Sequence, residues 1–513
     1  MDDVQEWKPS INPWLMIIPV ILAAFICILD TTVGNVALPH MAGAFSAGRD
    51  ESMWILTSYL VAAGVIMPAV DWLRKVFGRK NYFIISILVF TVASMLCGLA
   101  QNIEFMIPAR VLQGLGGGGL VPVANAIIWE SFSKEERGAA LSVFGMGVVI
   151  APIIGPVIGG WITDNWSWPW IFYINVPLGC LAAYLAKRLI EDPPYARKQN
   201  SVTIDGIGFL FLTIWLCTFQ IVLDKGNDAD RFNSAWVCWT FAVSIIACAL
   251  FFYSQFKNKN SLLDLSVFKD RNFTSGVIVQ FVAQAILYSS LAIVPQFLQN
   301  MLGYTAYLSG TTIATRGMGS VTALITTAKL SNKVDNRLFV AAGLVLIGIS
   351  GLMFGNLNFQ INPTSFLVPN VILGIGVGWA LVPIMTLTVA TLKNEQMTNA
   401  SAIQNLLKNV AGAIGTSLVS TLVTRYSQVH QFMLVHNLSE LNPVYNLKIQ
   451  HLATNFSHLP TQVANQMAQS LIYKQLVSQA TMFGYIDAFR FFGIPAFFVV
   501  PLLLLIRVKK EST

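Results

Sequence analysis

The sequence predicts an all-α polytopic membrane protein with fourteen transmembrane helices, and three observations predict it. First, 55% of the 513 residues are hydrophobic and only 11% are charged, with a mean hydropathy of +0.62; soluble domains carry roughly 25% charged residues. Second, apolar stretches of about 20 residues, the length that crosses a bilayer, recur at 14–37, 53–73, 82–101, 103–129, 139–162, 168–187, 205–223, 235–256, 274–298, 308–329, 338–356, 365–391, 399–424 and 484–506. Third, the basic residues alternate. With the N-terminus in the cytoplasm, the inner loops receive Lys8, Arg74, Lys75, Arg79, Lys80, Lys134, Arg137, Lys187, Arg188, Arg197, Lys198, Lys257, Lys259, Lys269, Arg271, Lys329, Lys333, Arg337, Lys393, Arg507, Lys509 and Lys510. The outer side receives only Arg49, Lys225, Arg231, Arg425, Lys448 and Lys474. This is the positive-inside bias. It places both termini in the cytoplasm and accounts for the net charge of +7 without a nucleic-acid partner, which needs basic residues gathered on one soluble face.

Taken in order, the first span is too long for a signal-peptide core, and Asp2, Asp3 and Glu6 spoil a basic leader. The second span ends in DWLRKVFGRK (Asp71 to Lys80), and the tenth in the similar AKLSNKVDNR (Ala328 to Arg337). Each follows the second helix of a six-helix unit if the seventh and eighth spans are an insert. The expected organisation is therefore two six-helix bundles, 1–190 and 261–513, joined by two linker helices in 191–260. Duplicated halves with a site between them are a common transporter plan. The fifth span carries GVVIAPIIGPVIGG (Gly147 to Gly160). In water, Gly and Pro cost a helix interior about 1 and 3 kcal/mol; in a membrane the small residues give a face on which another helix packs closely. The only long extramembrane stretch, 425–483, falls on the outer side. Its scattered apolar residues predict one or two amphipathic helices.

Asp30 lies deep in the first span, and an intramembrane carboxylate marks a functional site unless it merely caps a break. Arg110 is its natural partner. At 1.5 Å per residue, Asp30 sits roughly 22 Å up an outward helix and Arg110 roughly 10 Å below the outer face of an inward one. An Arg that only pins helices through backbone carbonyls is the other reading. Arg316 and Lys408 are further intramembrane cations, with no role assigned to Lys408. Asn35, Gln113, Gln284, Arg316 and Asn405 are cavity candidates, although amides also serve simply to join helices, as Gln296 and Gln299 would. The five histidines fall on the outer side as solvated loop residues, without metal-site spacing. The six cysteines sit in or beside apolar runs and read as small packing residues. No phosphate-binding G-x-x-x-x-G-K-[ST], metal set or catalytic triad occurs, so no cofactor and no enzymatic activity are expected.

These residues together resemble a known family. LDTTVGNVALP (Leu29 to Pro39), RVLQGLGGG (Arg110 to Gly118), GPVIGG (Gly155 to Gly160), WPWIFYINVPLG (Trp168 to Gly179), LDKGNDADRFNS (Leu223 to Ser234) and DLSVFKDRNF (Asp264 to Phe273) are similar to stretches of the major facilitator superfamily, 14-helix drug:proton antiporter-2 branch, EmrB type. The resemblance implies a major facilitator fold and a proton-coupled multidrug efflux permease of the bacterial inner membrane. Asp30 and Arg110 would couple protons, so the driving agent is the proton gradient. Gly155, Pro156, Gly159 and Gly160 would form antiporter motif C. Asp71, Arg74, Lys75, Gly78, Arg79 and Lys80 would form the gating motif A that latches the halves. Departures from the family pattern stand at Asp71, Lys75, Asn332 and Pro169. Small hydrophobic substrates, the lipid bilayer, a periplasmic adaptor and an outer-membrane channel are the implied partners. Export of a native metabolite, fatty acid or siderophore is the alternative; a non-transporting sensor has no use for costly intramembrane charges.

Overall fold

A computed structural model describes residues 9–193, 205–226, 233–257, 263, 265–330, 334–357, 364–392, 394–439, 441–456 and 460–506. Lys8, Arg197, Lys198, Arg231, Lys259, Asn332, Lys333, Lys393, His458 and the basic C-terminus lie outside the described residues, as does the Asp71 side chain.

Eighteen helices follow one another: α1 (Pro13–Ala44), α2 (Arg49–Ile66), α3 (Val70–Phe77), α4 (Arg79–Gly98), α5 (Ile103–Gly117), α6 (Leu120–Ser131), α7 (Lys134–Asn165), α8 (Trp170–Tyr173), α9 (Asn175–Leu189), α10 (Gly206–Lys225), α11 (Ala235–Lys257), α12 (Arg271–Gln296), α13 (Ala306–Leu330), α14 (Asn336–Phe354), α15 (Thr364–Val389), α16 (Asn394–Val435), α17 (Pro443–Thr454) and α18 (Thr461–Val499). No strand occurs among the described residues. The fourth span is divided between α5 and α6 and the sixth between α8 and α9. Among the described residues thirteen spans are long and apolar enough to cross a membrane. The fourteenth, α13, falls short because Ser309, Thr311, Thr312, Thr315, Arg316 and Ser320 dilute it. Four of these five hydroxyls are absorbed by helix carbonyls: Thr311 and Thr312 donate to Leu308 O (3.0 and 2.7 Å) and Thr315 to Thr312 O (2.7 Å), while Ser320 reaches Gly374 O on α15 (3.1 Å); the Ser309 hydroxyl has no partner. A helix so satisfied is stable inside a bundle, which apolarity along the chain does not register.

Within the first six spans α1 packs on α7 and α9, and α4 on α5 and α9; within the last six α13 and α14 pack on α15, and α16 on α18. The halves meet chiefly where α7 packs on α13 and α2 on α16, with α1 also touching α12 and α13, and α10 of the linker packs on both α2 and α16. Gln220 of α10 donates to Ser417 Oγ of α16. Tryptophans 161, 166 and 170 stack edgewise or tilted at the outer end of α7 and the start of α8, with centroids 6.1 and 4.9 Å apart. Such a belt suits the membrane interface.

The 425–483 stretch, expected to hold one or two amphipathic helices, holds one separate helix and the extended ends of two others. α16 and α18 run continuously out of their spans, and only α17 stands alone. A helix ends where its hydrogen bonds end, whereas a span ends where apolarity does.

Candidate functional site

The site starts with Asp30, on a helix that points it into the first bundle rather than to lipid: the residue is 2% exposed. Arg110 Nη1 donates to Asp30 Oδ2 at 2.7 Å. Gln113 Nε2 and Asn175 Nδ2 donate to Asp30 Oδ1 at 2.8 and 2.7 Å. The same two amides donate to Ser94 Oγ at 2.6 and 3.2 Å. Four helices thus meet on one carboxylate: α1, α4, α5 and α9. Arg110 also donates from Nε to Ile55 O of α2 (2.8 Å) and from Nη1 to Gln113 Oε1 (2.6 Å). Its guanidinium lies 4.9 and 5.3 Å from the Tyr59 and Phe172 ring centroids, where aromatic faces favour a cation. A buried ion pair gains from such extra hydrogen bonds, since desolvation offsets much of the direct attraction. Both readings of Arg110 hold at once: it pairs with Asp30 and pins α2 through a carbonyl.

Neither Asn175 nor Ser94 was singled out from the sequence, where each is an ordinary polar residue in an apolar run. Cys27 and Cys97 border the network, with Cys27 Sγ 3.2 Å from Tyr59 Oη and Cys97 Sγ 3.7 Å from Gln113 Oε1. None of the six cysteines is in a disulfide.

The cavity candidates part company. Gln113 belongs to the Asp30 network. Asn35 and Asn405 turn back on their own helices, donating to Thr31 O (2.8 Å) and Ser401 O (3.0 Å). Gln284 is buried on α12 with Oε1 unpartnered. Arg316 is buried on α13 and donates to Ser290 Oγ (3.0 Å) and Asn370 Oδ1 (3.2 Å). Gln299 joins the halves, donating to Val36 O at 2.8 Å.

The small-residue face of α7 divides its work. A Cβ at Gly155 would stand 2.1 Å from Thr32 Oγ1, and one at Gly159 2.6 Å from Val33 Cγ1, so these two seat α7 on α1. Gly160 instead faces the other half, where a Cβ would meet Ala306 O at 2.4 Å. The Pro156 carbonyl lies against Gly310 in the same seam. Just beyond, the Asp164 carboxylate accepts from the backbone N–H groups of Ala306 (3.0 Å) and Tyr307 (2.6 Å). A negative group at a helix N-terminus satisfies orphan donors and the helix dipole together. The end of the α7–α13 seam that carries Gly160 and Asp164 is therefore closed and capped. Asp164 was not marked from the sequence, because the donors it meets lie in another half of the chain.

Around motif A, Gly78 has φ +84° and turns the chain from α3 into α4, a conformation that favours glycine. Arg79 is buried and donates to Glu130 Oε2 (2.6 Å), Asp192 Oδ1 (3.1 Å) and Glu191 O (2.7 Å). The Lys80 N–H also donates to Asp192, and Arg74 lies 3.9 Å from Glu130, while Lys75 is exposed. The Arg79 bonds thus tie the α3–α4 turn to the C-terminal ends of α6 and α9, all within the first six spans. Asp192, which follows the sixth span, could have been read only as one acid among several. Nearby, Ser10 donates its N–H (2.7 Å) and its hydroxyl to Glu191, and these bonds hold that carboxyl below its ordinary value. Replacing Arg79 by Gln leaves Asp192 without this cation and Glu130 with only the more distant Arg74, so Arg79→Gln is expected to cost about 3 kcal/mol. Thermal unfolding in detergent checks this, and an unchanged midpoint would count against the clamp.

One histidine corrects the expectation of solvated side chains. His430 Nε2 lies 2.7 Å from Asp487 Oδ2 and its ring 5.2 Å from that of Phe483. Extended α16 and α18 bring the two side chains together, although the residues are 57 positions apart. No group of metal-ligating residues occurs among the described residues.

Comparison with known proteins follows the same lines. The Major Facilitator Superfamily matches residues 20–416. The chain is 30% identical over 484 residues to the multidrug export protein EmrB of Haemophilus influenzae, covering 94% of each chain. It is 30% identical over 452 residues to EmrB of Escherichia coli, covering 86% of each. It is 31% identical over 432 residues to the fatty acid resistance protein FarB of Neisseria gonorrhoeae, covering 84% of this chain and 85% of that one. A bacterial homolog of the human lysosomal transporter Spinster, solved inward-facing and occupied, has the same fold, with a TM-score of 0.63 at 16% identity over 95% of both chains. With its bundles of membrane-spanning helices and its carboxylate–guanidinium pair inside the first bundle, the chain belongs to the major facilitator superfamily, as a relative of the EmrB multidrug exporters.

Proposed function

We propose that this protein exports hydrophobic compounds across the bacterial inner membrane by alternating access, drawing on the proton gradient. The fully enclosed Asp30–Arg110 pair is the observation that carries the reading. A carboxylate held by one cation and two amides is stable while its helices stay together. When α1 or α5 shifts, the cation moves away, and a carboxyl without a counter-charge takes up a proton. Asn175 can follow that change. Its Oδ1 is buried without a partner, and turning the amide over brings that acceptor toward a protonated Asp30. The α7 glycine face and the Asp164 cap close the outer side while the inner side exchanges substrate.

Two finer points belong to this reading. Both termini lie in the cytoplasm, which the loop charges support. The outer projection of α16, α17 and α18 is where a periplasmic adaptor, leading to an outer-membrane channel, would dock; Phe432, Met433, Leu441, Val444 and Leu447 are exposed there. The similarity to FarB, at 31% identity, favours a second reading in which a fatty acid is the native cargo.

The test is transport in proteoliposomes with an imposed pH gradient. Wild-type protein is expected to concentrate a hydrophobic dye by about tenfold or more, roughly 1.4 kcal/mol per tenfold step, and to stop when an ionophore collapses the gradient. Accumulation that persists without the gradient would overturn proton coupling.

A further inference from the structure

Asp30 and Arg110 stand on α1 and α5, in the same six-helix bundle. A motion that rocks the two bundles as bodies leaves the distance between them unchanged. A charge whose pull on Asp30 varies with that motion has to stand on the other half. Arg316 and Lys408 are the two candidates inside its spans. Arg316 is tied within its own half, donating to Ser290 and Asn370. Lys408 is not: among the described residues no hydrogen bond or ion pair engages it, although it is half-buried on α16. An ammonium inside a span is costly and marks a function.

The face of α16 that carries Lys408 turns to the first half. Gly412 lies one turn further along that face, and a Cβ there would stand 3.0 Å from the Tyr288 ring of α12 and 3.4 Å from Leu60 of α2. Gln404, one turn before Lys408, is buried with Nε2 unpartnered, so the face is polar without being open to solvent. Ala413 is buried in one cluster with Cys27 of α1 and Tyr59 of α2. The Lys408 charge is close enough to act on the Cys27 thiol. Cys27 lies one turn before Asp30, with its Sγ 3.2 Å from Tyr59 Oη, and the Tyr59 ring lies 4.9 Å from the Arg110 guanidinium. Lys408 thus faces the flank of the Asp30 site across the seam between the halves. The titratable and charged groups around Asp30 are Arg110 on α5, Tyr59 on α2, Cys27 on α1, Cys97 on α4 and, from the second half, Lys408; α9 contributes the neutral Asn175.

We propose that Lys408 is a positioning residue for proton coupling, a cation carried by the second half whose distance from Asp30 follows the rocking of the bundles. A nearby cation favours an ionised carboxyl. With α16 seated on α2, Lys408 adds to Arg110 in driving the proton off Asp30. When the halves part at this seam its charge withdraws while Arg110 stays, and the carboxyl takes up a proton more readily. The inference rests on the exporter reading and gives it a link between the protonation of one half and the position of the other.

The test reads protonation of Asp30 apart from transport. Dicyclohexylcarbodiimide modifies protonated carboxyls from within a membrane. Its labelling of the full-length protein in nanodiscs is followed against pH, with Asp30→Asn as the background to subtract. In Lys408→Gln the midpoint of labelling is expected to move to higher pH by about half to one unit, a threefold to tenfold gain in proton affinity, and Lys408→Arg should keep the wild-type midpoint. Lys408→Met serves equally if the glutamine variant does not fold; losing a charge inside a span relieves a cost, so both should fold. A purely structural lysine would change yield or rate and leave the midpoint in place. Midpoints that coincide in wild type, Lys408→Gln and Lys408→Met would overturn the proposal. Gradient-driven dye accumulation is measured alongside. If the midpoint depends on Lys408 but wild-type protein accumulates nothing, the exporter reading fails and the electrostatic link stands; accumulation with an unmoved midpoint removes the role of Lys408 alone.

Discussion

Asp30→Asn is expected to abolish proton-driven accumulation while the protein still folds and still exchanges substrate. The substitution keeps the shape of the side chain but removes its ability to bind and release a proton. It also resembles the protonated carboxyl, so the network meets it as one of its own working states. Three donors converge on Asp30: Arg110 on one oxygen, Gln113 and Asn175 on the other. An asparagine offers only one oxygen, so an amide must turn over and Arg110 loses its counter-charge. Breaking a buried pair costs about 3–5 kcal/mol, which should lower the unfolding midpoint measurably. Transport separates the effects. Substrate counterflow without a pH gradient should continue, whereas the accumulation ratio under a gradient should fall from about tenfold, equivalent to about 1.4 kcal/mol, to equilibration. A variant that still concentrates substrate against its gradient would remove Asp30 from the coupling step.

Gly160→Val should open the outer seam. The atoms that a Cβ would meet are backbone: Ala306 O at 2.4 Å and Tyr307 Cα at 2.7 Å. No rotamer change can clear them, so α7 and α13 must separate at their outer ends, and the Asp164 cap on α13 goes with them. Overpacking of this kind costs about 1–3 kcal/mol, enough to shift a balance between two conformations by roughly fivefold to more than a hundredfold. A cysteine introduced beside Tyr307 should then label faster with an impermeant maleimide added from outside, and efflux should fall. Gly43→Ala is the comparison, because nothing lies within 4 Å of its added Cβ. Equal labelling and equal efflux in Gly160→Val and Gly43→Ala would mean that the seam does not depend on this close approach.

Much of the architecture was legible because each span is recognised by its own composition. Even α13 was placed, at 308–329, although its polar face is accommodated by packing on α7 and α15. The Asp30–Arg110 pairing was legible as far as depth goes, since both helices cross the same slab at a known rise. Its completion by Asn175, 145 positions from Asp30, was not, because nothing in an isolated NVP marks which amide will turn inward. Arg79 was picked out by its motif, yet its partners Glu130 and Asp192 arrive from the ends of other helices. His430 was read as solvated, because a helix continuing past the membrane brings Asp487 to it and no loop composition reveals that.

By itself the sequence determined that this chain enters a membrane and where along it the spans fall. Those outcomes follow from the transfer free energy of each segment and the charges beside it, which are local sums. Only the tertiary structure decided which buried charges are neutralised within the protein and which are not. Asp30, Arg79, Arg110 and Arg316 look alike as ionised residues in a chain. Compensation of a desolvated charge, however, depends on a partner a few ångströms away that can lie a hundred residues distant.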